Sequence, residues 1–161
     1  MGRLRATRSH GFTLVELVIV IALMGILGAV AGSRMLTSKG FASRGFYDET
    51  QAVVRYAQKT AIAWRRTILV CVSATEVSAI SSNDCSAPTP TYVPHPVNPA
   101  NPLKTQAAPS GVTLTSTSGS SFSFDGLGRP SAPTTITLNS TNTDDPARVI
   151  IVATETGYVY H

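Results

Sequence analysis

The chain has 161 residues, a formal net charge of +4, 43% hydrophobic residues and only 14% charged ones. That length suits one ordinary domain with an appended segment. Sparse charge with abundant Ser, Thr, Pro and Gly fits a β-rich, loop-rich extracytoplasmic domain better than a helical cytosolic enzyme. The basic excess is weak evidence for a polyanion partner. Arg3, Arg5 and Arg8 all precede Gly11, and without them ten basic residues face nine acidic ones.

The first predicted element is the run from Phe12 to Ala31, in which Glu16 is the sole charged residue. As a helix it spans about 30 Å, the thickness of a bilayer's hydrocarbon core. The arginines ahead of it favour a cytoplasmic N-terminus and an exported remainder. Three readings compete. A secretory signal would use Ala29-Val30-Ala31 as its cleavage site and release a soluble domain. A plain transmembrane anchor gives Glu16 no purpose, although a carboxylate in hydrocarbon costs about 2.5–3.5 kcal/mol. The third reading accounts for the acid. A cut after Gly11 makes Phe12 the new N-terminus, and its α-ammonium lies at i,i+4 spacing from Glu16. Pairing between neighbouring helices would then set register between subunits.

The residues RSHGFTLVELVIVIALMGILGAVA resemble the leader junction and N-terminal helix of type IV prepilins and type II secretion pseudopilins. That resemblance implies a leader over 1–11 ending in Gly11. It also implies cleavage and N-methylation at Phe12 by a prepilin peptidase, and a docking role for Glu16. The implied partners are other pilin or pseudopilin subunits and an inner-membrane assembly platform. The implied location is the bacterial inner membrane, single-pass, with the C-terminal domain in the periplasm before it joins a pilus or pseudopilus.

Past a membrane and filament-core segment over 12–32, the helix is expected to continue as an amphipathic stretch over 33–66. Phe46, Val53, Ala57, Ala61 and Trp64 form one apolar face. Gly25, Gly28, Gly32 and Gly40 mark places for bending, local melting or close helix packing. The remainder, 67–161, reads as a β-rich domain. TILVCV (67–72) is a buried strand with EVSAI (76–80) as its hairpin partner. Seven prolines between Asn83 and Gly111 then deny both helix and central strand, which predicts a long surface loop over 83–111. Cys71 and Cys85 read as one disulfide if the domain is exported, and as buried free thiols otherwise. VTLTS (112–116), SFSF (121–124), TTITLNS (134–140), ARVIIVAT (147–154) and YVYH (158–161) follow as strands, the last three as an antiparallel meander centred on VIIVA. The expected fold class is α+β and pilin-like, a long N-terminal helix packed on a twisted antiparallel β-sheet domain. FYDETQAVVRYAQKTAIAWRRTILVCV, FSFDGLGRP and VIIVATETGYVYH are similar to the GspH/FimT branch of minor pilins and pseudopilins, and within it they resemble the minor pilins of mannose-sensitive haemagglutinin-type pili.

No convergent catalytic set stands out, so no enzymatic activity and no cofactor are expected. His10 lies in the leader, His95 in the proline-rich run and His161 at the last position, and no serine has a nucleophile-elbow context. Gly126-Leu127-Gly128 lacks phosphate-loop spacing and reads as a turn that uses positive φ. Asp144-Asp145 with Glu155 lacks calcium-loop spacing, so no metal is assigned and a solvated turn before Pro146 is expected. Asn139-Ser140-Thr141 is a glycosylation sequon by pattern alone. Because some FimT-like minor pilins bind DNA, the resemblance admits Lys104, Arg129 and Arg148 as phosphate contacts, with Tyr158 or Tyr160 for stacking. Three dispersed cations make a weak footprint, and a DNA- or surface-binding module is the second reading.

Overall fold

The computed structural model describes residues 13–161, without the side chains of residues 29–39. The leader over 1–11, Phe12 and the side chains of the Ala29-Val30-Ala31 pattern therefore lie outside the described residues. The chain divides into two compact units, Met1–Ser38 and Lys39–His161.

Helix α1 runs from Leu14 to Trp64. It opens on a cap, because the Glu16 backbone N–H donates to Thr13 Oγ1 at 3.2 Å. Thr13-Leu14-Val15-Glu16 has the spacing of a capping box, with Thr at the N-cap and Glu at N3. The helix is continuous through Gly25, Gly28, Gly32 and Gly40, which leaves bending or close helix packing as the readings of these glycines that this structure accommodates. It ends where Arg65 adopts φ 50°. The Arg66 N–H then reaches back to Ala61 O and the Arg65 N–H to Ile62 O, each at 3.2 Å. These two bonds form a Schellman closure with arginine in the position glycine usually fills.

Seven strands follow: β1 Ile68–Val72, β2 Val77–Ile80, β3 Val112–Ser116, β4 Ser121–Phe124, β5 Thr134–Ser140, β6 Arg148–Val152 and β7 Val159–Tyr160. They form two antiparallel sheets, ordered β2-β1-β4 and β3-β5-β6-β7, the antiparallel β-sheet domain expected. Pro130 bridges Phe124 beyond β4. A proline brings no N–H to that edge, and β5 pairs with β3 in the other sheet. The meander over 134–161 is present, with β6 between β5 and β7.

One core joins α1 to both sheets. Val54, Ala57 and Ala61 meet Ile68, Val70 and Phe124 from the first sheet and Ile136, Ile150 and Val152 from the second, each fully or almost fully buried. Phe46 and Val53 belong to this face as expected. Trp64 does not: it is 44% exposed, although Ala61 in the same turn is fully buried.

The proline-rich segment is a second correction. Its arms pair with the outer edge of β2: Val93 N–H donates to Ala79 O, Ala79 N–H to Leu103 O and Thr105 N–H to Val77 O, all at 2.9 Å. Val93, Leu103 and Thr105 are buried. A segment read as a surface loop is thus an edge cover with its own core residues. Its proline-rich tip at Val97 is 85% exposed. The Cys71–Cys85 disulfide, Cα atoms 5.8 Å apart, ties its start to β1.

Candidate assembly site

The functional candidates fall into two groups, one at the start of α1 and one where α1 meets the sheets. Leu14, Val15, Leu17, Ile19, Leu23 and Leu27 are all more than half exposed. Among the described side chains from Leu14 to Gly28, Glu16 is the only charged one. An apolar surface of this kind on a helix is incomplete without a covering medium, lipid or another helix. Glu16 sits at N3, where an acid also complements the positive end of the helix dipole. The sequence carried this signal as the T-x-x-E spacing, and reasoning from the membrane run alone passed over it. Among the described residues no helix is both long and apolar enough to cross a membrane; the expected span over Phe12–Ala31 lies partly outside them.

In the domain, α1 holds both sheets through polar side chains aimed at strand and turn carbonyls. Tyr47 Oη donates to Val149 O at 3.2 Å. Arg55 donates to Val159 O through Nε at 3.2 Å and Nη2 at 2.9 Å. Gln58 Nε2 bridges two turns, reaching Gly128 O at 3.1 Å and Thr156 O at 2.9 Å. Gly128, at φ +82°, makes Gly126-Leu127-Gly128 the turn expected, and Asp125 Oδ1 organises it by accepting from Leu127 N–H and Arg129 N–H. Gly157, at φ +66°, lies so close that an added Cβ would collide with Gly128 O. Sequence reasoning assigned none of these partners, because each joins residues roughly seventy to a hundred positions apart.

The three candidate phosphate contacts are not brought together as free charges. Lys104 pairs with Glu76 at 3.0 Å, and that hydrogen bond raises its pKa. Arg148 pairs with Asp145 at 3.1 Å. Arg129 is exposed beside the Gly128 turn and has no ion pair among the described residues. Asp145 corrects the expectation of a solvated turn. It is 7% exposed, and the neighbouring Ser43 hydroxyl, then the Arg148 guanidinium, hold its carboxyl below the usual aspartate value. Asp144 and Glu155 are exposed, and no cluster of three metal-ligating side chains occurs among the described residues. His95 Nδ1 accepts from Val97 N–H at 3.2 Å within its own turn.

A long N-terminal helix with an apolar exposed start, packed further on against antiparallel sheets, is the architecture of a pilin. Residues 48–156 match the family model for type II transport protein GspH, and residues 6–32 match the prokaryotic N-terminal methylation motif. The chain belongs to the GspH family of pilin-like proteins. It is similar to the type IV narrow pilus major component PilA5 of Thermus thermophilus, with 41% identity over 64 residues, 40% of this chain and 55% of that protein. The chain thus spans little more than half the length of that relative. Its fold is similar to the crystal structure of the type IV minor pilin FimU of Pseudomonas aeruginosa. One crystal form gives a TM-score of 0.59 at 16% identity, covering 78% of this chain and 90% of FimU. A second gives 0.54 at 17% identity, covering 73% and 90%.

Proposed function

We propose that this chain is a minor pilin or pseudopilin subunit that assembles from the bacterial inner membrane into a type IV pilus or type II secretion pseudopilus. The observation that carries the reading is a coincidence in one segment. The methylation-motif match over 6–32 overlies the exposed apolar start of α1, with Glu16 as its sole charge. In this reading residues 1–11 are a leader oriented by Arg3, Arg5 and Arg8. A prepilin peptidase cuts between Gly11 and Phe12 and methylates Phe12. Residues 12–32 wait in the membrane as a single span, residues 33–66 carry the helix into the domain, and 67–161 form the exported β-rich part. An assembly platform then moves the subunit into the filament as Glu16 meets the Phe12 ammonium of a neighbour, a pairing that desolvates both charges together. The work is assembly, with no bond chemistry performed by this chain.

The test is the N-terminal sequence and intact mass of the chain recovered from its native membrane. A chain starting at Phe12 and about 14 Da heavier than its sequence, as one added methyl group requires, supports the reading. A chain starting at Gly32 makes it a secreted soluble domain and removes the assembly role of Glu16.

A further inference from the structure

Strand β7 stops short of β6. It pairs only with Ile151 and Val152, so Arg148 and Val149 have no strand beside them on that side. Helix α1 lies across the gap. Arg44, Tyr47, Asp48 and Gln51 follow steps of three, one and three, which puts them on one helical face. Tyr47 Oη donates to Val149 O at 3.2 Å and ties that face to β6. A cleft of about 390 Å³ remains between them, closed at its end by His161. Its whole lining belongs to the unit Lys39–His161, and its volume is that of a small-ligand pocket.

Donors outnumber acceptors in this lining. Gln51 Nε2 is buried without a hydrogen-bond partner, and so is Arg148 Nε. Arg148 gives Nη2 to Asp145 at 3.1 Å, and Asp145 stands outside the cleft. Arg44 is exposed and makes no ion pair among the described residues. Asp48 is the one acid in the lining. A buried donor costs stability unless an acceptor reaches it. Water brings acceptors but also hydrogens that need acceptors of their own. A carboxylate only accepts, and it can take guanidinium and amide N–H groups together. A phosphate dianion would double the charge set against Asp48. An aliphatic stem has a place between the Tyr47 ring and Val149, which is 36% exposed.

We propose that the cleft between α1 and β6 binds one carboxylate on a short aliphatic stem, with Gln51 Nε2, Arg148 Nε and Arg44 as its donors. A free short-chain acid and a glutamate side chain of a neighbouring protein share this chemistry. The inference stands apart from the assembly reading and goes beyond it.

The experiment is a titration of the isotope-labelled full-length chain, in nonionic detergent with its disulfide intact. Nuclear magnetic resonance follows the Gln51 side-chain amide and the Arg148 Nε–H. The probes are propionate, glutamate blocked at both its amino and α-carboxyl groups, inorganic phosphate, and sodium chloride at matched ionic strength. The expected result is a saturable shift of both signals by propionate or blocked glutamate. Affinity should be roughly tenfold lower in Arg44→Gln and in Gln51→Met, with circular dichroism unchanged. Arg44 is exposed, so its variant keeps the test open should Gln51→Met fail to fold. Tighter binding of blocked glutamate assigns the cleft to a protein side chain, and tighter binding of propionate to a free acid. No saturable shift leaves water as the partner and overturns the proposal. Equal shifts from chloride, tighter binding of phosphate, or equal affinity of the folded variants overturn it too. Filament entry plays no part in these readouts, so failure here leaves the assembly reading intact, and the reverse holds as well.

Discussion

Glu16 joins an observed place at the start of the helix to the assembly role proposed for it, and a single substitution can confuse the two. Its backbone N–H takes the Thr13 hydroxyl at 3.2 Å, and glutamine serves the N3 position of a capping box as well as glutamate does. Only the charge answers an ammonium. Glu16→Gln is therefore expected to keep the helix start and lose incorporation into filaments, measured as the fraction of chain in sheared filaments against membranes. Incorporation of Glu16→Gln at the wild-type level would reduce the residue to a cap. Asp145 gives a second prediction at this scale. Its folded pKa lies below the aspartate value of 3.8, first through the neighbouring Ser43 hydroxyl and then through Arg148. A depressed carboxyl stabilises the fold fully above its unfolded pKa, and that contribution is lost as pH falls through the lower folded one. Denaturant midpoints of the wild type should fall below about pH 4, and Asp145→Asn should start lower and show a smaller fall. The Ser43 contribution could not be read from the local DDP sequence, because Ser43 lies 102 positions away.

Among the elements, the legible ones were those with a period. Leu14–Trp64 and all seven strands follow from apolar spacing, and the missed features are the ones where composition and neighbours disagree. Trp64 fits the helical stripe of Ala57 and Ala61 yet stands exposed, because a period does not say where the partner surface ends. Val93 and Leu103 sit among seven prolines, a density that argued for a solvated loop. Proline forbids only N–H donation and certain φ values, so the residues between prolines still pair with β2 through their own N–H groups. The disulfide gives this edge cover its fixed end. Replacing Cys85 with Ser frees a 14-residue connection, for which the chain-entropy model assigns about 3 kcal/mol. Cys85→Ser is expected to lower the urea midpoint accordingly, with amide exchange rising first at Ala79, Val93 and Leu103. Exchange rising uniformly across both sheets would instead make the cover one cooperative unit with the core.

At the level of the whole molecule, the distribution of closed and open surfaces separates folding from association. The edges of both sheets are occupied: β2 by the proline-rich arms and β4 by Pro130 and Ser131, as β3 is by Ala74 and β7 by Arg55. Exposed edges are the usual route by which β domains join indiscriminately, and this domain offers none. Its core is complete within Lys39–His161, one of the two compact units. The exposed large apolar residues concentrate instead between Leu14 and Leu27. Association should therefore travel with the start of α1 and not with the sheets. A chain beginning at Lys39 is expected to fold with its disulfide formed and to sediment as a monomer without detergent. The full chain should require detergent or lipid to remain dispersed. The shortened chain unfolding would show that the first part of α1 stabilises the domain, and its self-association in sedimentation would show that the sheet faces suffice for assembly. Only the second result would move the assembly surface away from Glu16 and its apolar neighbours.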